Sequence, residues 1–158
     1  MAGLYIRYAN KEDLNLLFNW ANDPIVRQNS FSTDVITIEE HKLWFDNMLN
    51  RSDAKQYIYM NGDIPIGQAK VRIERDIAEI GYSIAQEYRG NGYGSKLLID
   101  LKKQVIIDFP SITKIIGRVK DNNISSKKAF TSAGYNCDYL MFSYDISKIR
   151  NDNGTYQS

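Results

Sequence analysis

One stretch restricts the fold of this chain more than any other. Across residues 77–84, Ala78, Ile80, Tyr82 and Ile84 alternate with Glu79, Gly81 and Ser83, the two-residue period of a pleated strand. The chain then passes through Arg89-Gly90-Asn91-Gly92-Tyr93-Gly94 into a segment whose Leu97, Leu98, Leu101 and Val105 share one helical face, closed by Pro110. Strand, glycine-rich turn and helix in that order bring together a backbone free to turn sharply, unpaired N–H groups and the positive end of a helix dipole. Together these make a cradle for a pyrophosphate, although a turn of this composition also occurs with no ligand. Two phosphate cradles are excluded. A P-loop needs Gly-Lys-Ser/Thr, and here Gly94 is followed by Ser95-Lys96. A dinucleotide fingerprint belongs to an early βαβ unit with an acidic residue about 20 positions on, whereas this turn comes late and follows strands that look antiparallel.

Around this unit the chain alternates between helix and strand signals. Leu4 to Tyr8 reads as a strand. Asn10 with Asp13 opens a helix carrying Leu14, Leu17, Phe18 and Ala21, which Asn22-Asp23-Pro24 stops. Thr37 and Glu40 form a capping box for a second helix with Trp44, Phe45, Met48 and Leu49 on one stripe. Strands follow at Gln56 to Met60, Gly67 to Ile73 and Ile77 to Ile84, the first pair joined by a tight turn at Asn61-Gly62-Asp63. Lys114 to Val119 reads as a short strand, Asn123 to Ala133 as a helix ended by Gly134, and Tyr139 to Ile146 as a final strand. The order predicts an α/β (α+β) sandwich, a mixed sheet with helices on its faces.

The chain of 158 residues is 43% hydrophobic and 25% charged, the balance of one domain with its own core. It reads as a single domain over residues 1–158, with the polar tail 151–158 fraying. Twenty Lys and Arg against 19 Asp and Glu leave a net charge of +1, which argues against nucleic-acid or anionic-membrane partners. Cys137 is the one cysteine and His41 the one histidine, so neither an internal disulfide nor a metal cluster is expected. Met1 to Arg7 lacks the pattern of a signal peptide, and no stretch approaches the ~20 apolar residues of a membrane span. The expected location is cytoplasmic.

Arg89-x-x-Gly92-x-Gly94, with Val119-x-x-x-Asn123-x-x-Ser126-x-x-x-Phe130-x-x-x-Gly134-Tyr135 downstream, resembles the paired cofactor segments of the GNAT superfamily of N-acetyltransferases, and the likeness covers nearly the whole chain. It implies a central sheet of about six to seven strands flanked by about four helices, with the strand ending at Ile84 splaying from the one at Lys114 to Val119. It further implies that acetyl-CoA is the co-substrate. Arg89, the backbone of Gly90, Asn91, Gly92, Tyr93 and Gly94, and Ser95 would hold the pyrophosphate. Ile84, Asn123, Ser126 and Phe130 would flank the pantetheine arm, and the N–H near Ser83 would face the thioester oxygen.

Acylating an amine requires removing a proton from an ammonium. Glu79 lies where many of these enzymes carry a glutamate and is the candidate base; its alternative is a carboxylate paired with a neighbouring Arg or Lys. Many relatives place a tyrosine at the position of Phe130, so the usual acid is missing; Tyr139 or Tyr82 is the candidate substitute, and protonation by solvent is the alternative. The segment from Leu17 to Arg27 and on to Phe45 resembles the pseudaminic-acid-pathway enzymes that acetylate a UDP-linked 4-amino sugar, and more loosely the ribosomal-protein N-terminal acetyltransferases. On that likeness Trp20, Arg27 and His41 line the acceptor side, the partner is a small-molecule amine, and a homodimer is allowed. For His41 the alternative is a packed core side chain. A protein N-terminal acetyltransferase and a non-catalytic acyl-CoA-binding module stay open beside the nucleotide amino sugar.

Overall fold

The computed structural model describes residues 3–147; the expected frayed tail at 151–158 lies outside them. Five strands form one sheet in sequence order: β1 (Leu4–Tyr8), β2 (Ala54–Asn61), β3 (Ile64–Glu74), β4 (Ile77–Ile84) and β5 (Lys114–Gly117). The first four pair antiparallel: β1 reaches β2 through the segment that carries the first three helices, whereas β2–β3 and β3–β4 are joined by short turns, Gly62 supplying the left-handed residue of the β2–β3 hairpin. β5 pairs parallel to β4, because the chain reaches it through a crossover helix.

Five α-helices flank the sheet: α1 (Leu14–Ala21), α2 (Pro24–Asn29), α3 (Ile38–Asn50), α4 (Tyr93–Asp108) and α5 (Ile124–Ser132). The capping boxes at Asn10/Asp13 and Thr37/Glu40 both form. Asp23-Pro24, a stop for α1, is also the start of α2: an Asp23 oxygen accepts from the N–H groups of Ile25 and Val26, and Pro24 opens the first turn.

Strand alternation splits the core in two. Tyr57, Tyr59, Ala69, Val71, Ala78, Ile80 and Ile84 meet Leu97, Leu98, Leu101 and Val105 of α4. Those four α4 side chains are completely buried, each contributing about 1.5–3 kcal/mol. On the opposite face Ile58 and Met60 meet Leu17 and Phe45. Asp108 accepts from the phenols of Tyr8 and Tyr57, each at 2.6 Å, and Asp100 from Tyr59 at 2.8 Å, pinning α4 to β1 and β2.

Two expectations need correction. The sheet has five strands among the described residues, and Tyr139–Ile146 is not a strand. Tyr139, Leu140, Met141, Phe142 and Tyr144 are all more than 70% exposed. A β-prone segment becomes a strand only where it meets a free edge. Here Asp138 reaches the start of β5, pairing with Lys114 at 3.0 Å, and the chain beyond it runs without ladder partners.

Candidate active site

The site is built where two strands part. β4 and β5 pair only from Ile77↔Lys114 to Ile80↔Gly117. Gly81 to Ile84 continue with no strand beside them on that edge among the described residues. The ring of Phe130 sits over Gly117, where an added Cβ would overlap it. Phe130 is held edge-on by Tyr82 at 5.9 Å and Tyr135 at 5.0 Å between centroids. It therefore acts as a packing wedge at the mouth of the gap. Asn123 caps α5 by accepting from the Ser126 N–H, and the buried Ser126 hydroxyl accepts from the Tyr82 phenol at 3.1 Å. Burial pushes the Tyr82 phenol above its ordinary value.

One end of the gap is the glycine turn. Gly90 and Gly92 have φ of 81° and 77°, and Gly92 is the N-cap of α4. An added Cβ at either meets nothing within 4 Å. Glycine is demanded by the left-handed backbone, and the space ahead of it is open. The first turn of α4 carries no acidic side chain, so its N–H groups suit an anion. The Ser95 hydroxyl donates to the Gly92 carbonyl at 3.3 Å, and the Asn91 amide to the Tyr88 and Arg89 carbonyls. Tyr93 stacks under Lys96 at 5.7 Å. Gly94 lies beside Tyr82 and Ala129, where an added Cβ would be in ordinary contact with both. Arg89 faces inward: its Nε donates to the Ile84 carbonyl and its Nη2 pairs with Asp23, both at 3.0 Å. Burial works to raise the Asp23 carboxyl, but Arg89 and the N–H groups of Ile25 and Val26 hold it below the usual range. Arg89 thus positions the turn against the end of β4 and the start of α2.

On the opposite face of β4, Glu79, Gly81 and Ser83 line a polar surface, here called the cleft. Glu79 takes Arg118 at 2.6 Å and Arg72 at 3.6 Å, the paired-carboxylate arrangement. Ser83 ends a polar chain whose direction can be deduced. The Gln56 amide nitrogen donates to the Ala69 carbonyl at 2.9 Å, which fixes that amide's orientation. The same nitrogen donates to Gln68 Oε1 at 2.7 Å, so Gln68 Nε2 donates to Ser83 Oγ at 3.0 Å. Ser83 is loaded as an acceptor, and its own hydroxyl proton is left to point elsewhere. Gln56, Gln68, Arg72 and Arg118 carry no motif; only strand register, Arg72↔Glu79 and Gln68↔Ser83, brings them here.

Three expected site residues are placed differently. His41 is 2% exposed, stacked on Phe45 and flanked by Phe18 and Trp44. Its Nε2 lies 3.1 Å from the Leu14 carbonyl, which can only accept, so that nitrogen carries hydrogen. It is a packed core residue, because its ring completes the α1–α3 interface. Arg27 spends its donors on the Ala21, Ser32 and Asp34 carbonyls and the Ser30 hydroxyl, bracing the loop after α2. Tyr139 is 75% exposed in the unpaired segment, so that of the two expected phenols only Tyr82 lies at the gap. Trp20 is half-buried against the α1–α3 core.

The position of His41 predicts a pH dependence. Burial holds its imidazolium below the ordinary 6.5, outweighing the Leu14 carbonyl. As pH falls below that value the unfolded chain takes up a proton that the folded chain does not. Stability should therefore drop by up to about 1.4 kcal/mol per pH unit until folded His41 itself titrates. Thermal unfolding followed from neutral to mildly acid pH should show this slope, and His41→Gln should make it shallower.

The fold is that of known acetyltransferases. It superimposes on aminoglycoside acetyltransferase AAC(6')-Ib in complex with coenzyme A, with a TM-score of 0.73, 22% identity, and 84% of this chain and 83% of that one covered. It also matches spermidine N-acetyltransferase from Vibrio cholerae in complex with CoA and spermine (TM-score 0.75, 18% identity, 83% and 79% covered). A third match is RimL, a ribosomal alpha-N-protein acetyltransferase, in complex with coenzyme A (TM-score 0.73, 20% identity, 85% and 80% covered). No curated protein matches by sequence. Residues 4–136 match the acetyltransferase (GNAT) domain. The chain belongs to that family and is an acetyltransferase.

Proposed function

We propose that the protein moves the acetyl group of acetyl-CoA onto a primary amine of a small molecule, a nucleotide-linked amino sugar, in a ternary complex. One observation carries the acetyl-transfer part of this reading: β4 loses its β5 partner after Ile80, so Gly81 to Ile84 run with a free edge toward the left-handed glycines at 90 and 92. The cradle fits a pyrophosphate, with two left-handed glycines, open space before them and no carboxylate in the first turn of α4. When bound, acetyl-CoA supplies the activated acyl group. The N–H groups of Gly90 to Gly94 would hold its diphosphate, and Asn123, Ser126, Phe130 and Ile84 would flank its arm.

The remaining work falls to the cleft. The acceptor amine arrives as an ammonium, and Glu79 takes its proton, directly or through water, by breaking its hydrogen bond to Arg118. The Ser83 hydroxyl, with its lone pair occupied by Gln68, donates toward the reacting centre, where negative charge develops. As the amide bond forms and the thioester C–S bond breaks, the Tyr82 phenol on the other side of the strand would give up its hydrogen bond to Ser126 and protonate the leaving thiolate, a phenol supplied despite Phe130. Trp44, 38% exposed, offers an aromatic wall to the base or sugar. The test is a thiol-release assay with acetyl-CoA against UDP-4-amino sugars, N-terminal peptides and polyamines. Turnover with the sugars alone is the expected result. Turnover with peptides alone would replace the acceptor, and tight acetyl-CoA binding with no turnover on any amine would make the protein a binding module.

A further inference from the structure

Lys70 of β3 stands out on the cleft floor. It lies opposite Gly81 in the β3–β4 ladder, and its stem crosses that residue: an added Cβ at Gly81 would come within 3.4 Å of Lys70 Cε. The Lys70 ammonium ends 5.6 Å from the centroid of the Trp44 ring, in the range of a cation–π contact. An ammonium has three hydrogens to donate, yet Lys70 has no hydrogen bond or ion pair among the described residues. The nearby carboxylate, Glu79, is committed to Arg118 and Arg72. Lys70 is exposed; the chain around its ammonium and the positive charges of Arg27 and Arg72, partly offset by Glu79, push it below its ordinary value. The neighbouring Arg27 cannot serve as a free cation, since the backbone of its own loop takes its donors.

We propose that Lys70 is the anion anchor of the acceptor cleft, pairing with a phosphate carried by the amine substrate while Trp44 covers the ammonium from the side. The proposal rests on the acetyl-transfer reading of this cleft and names the chemistry of its acceptor. Lys70, Arg72 and Arg118 face a single carboxylate, Glu79, so an incoming phosphate relieves repulsion that a polyamine or aminoglycoside would increase. The cleft therefore differs in charge from what the polycationic acceptors of its structural neighbours require. A phosphate also brings three acceptor oxygens to an ammonium with three unused donors.

Binding separates this proposal from the activity. The protein is first saturated with CoA, so that the glycine cradle is filled, and then titrated calorimetrically with UDP and with inorganic phosphate. Wild type is expected to bind one or both. Lys70→Met should weaken that binding roughly tenfold or more, the cost of a lost charge-assisted contact, and Lys70→Arg should restore most of it. CoA affinity should be the same in all three proteins. Binding of UDP in preference to phosphate places a nucleoside beside the anchor, whereas equal binding of both makes the phosphate alone the recognised group. Equal affinity in wild type and Lys70→Met, or no binding of either probe, overturns the anchor even if some amine is acetylated. Lys70-dependent UDP binding without turnover on any amine keeps the anchor and overturns the acetyl-transfer reading.

Discussion

A Gly92→Val variant is expected to bind acetyl-CoA at least tenfold more weakly while keeping its fold. Gly92 holds φ at 77° as the N-cap of α4, a conformation that costs an ordinary L-residue about 1–2 kcal/mol and a β-branched one more. That strain is relieved by turning the peptide, which re-aims the N–H groups of the cradle. The added methyls also project into space that is open in the protein, where a diphosphate would lie. No neighbour is displaced, so the loss falls on affinity rather than on packing. Gly117→Val is the contrasting case: its Cβ overlaps the Phe130 ring, so stability should suffer. Calorimetric titration with acetyl-CoA, alongside circular dichroism and a melting curve, distinguishes the two. Unchanged affinity in a folded Gly92→Val protein would remove the cradle from the site.

Glu79→Gln should lower kcat by ~10²–10⁴, the usual contribution of a positioned base, with acetyl-CoA affinity unaffected. Glutamine keeps the shape and a hydrogen-bond acceptor for Arg118, so a structural role would be largely preserved and a proton-accepting role would not. The acid limb of the rate profile should disappear with the carboxylate. Arg118→Gln is the companion variant. It leaves Glu79 in place without its 2.6 Å partner and should retain far more turnover than Glu79→Gln. Comparable losses in both variants, with an unaltered pH profile, would make the Glu79–Arg118 pair a structural bridge.

Both variants test residues that local sequence marked out. The two-residue alternation of β4, the sharp glycine turn at 90–94, the leucine stripe of α4 and the capping boxes at Asn10/Asp13 and Thr37/Glu40 are short-range features. They depend on neighbours within a few positions, and they form as read. Asp23-Pro24 shows the limit even at short range. Proline ends a helix and also begins one, and only the Asp23 oxygen on the N–H groups of Ile25 and Val26 reveals α2.

What the chain by itself marked out, then, was the order of the elements up to α5 apart from α2, the glycine turn ahead of α4, and the carboxylate and hydroxyl at Glu79 and Ser83. Tertiary structure decided which of these groups are free to meet a ligand. Arg27 and His41 have the right chemistry for an acceptor, but carbonyls of a loop up to seven residues away consume the donors of one. The other is enclosed by rings from α1 and α3. Tyr139–Ile146 has the composition of a strand yet forms no ladder with the open outer edge of β5. Conversely, Lys70, Gln68 and Arg118 carry no pattern, and become part of the cleft through strand register and the crossover to β5. Periodicity and capping are written within a single turn or pleat of the backbone. Donor satisfaction and burial depend on groups brought together from dozens of residues apart, and only the folded chain assembles them.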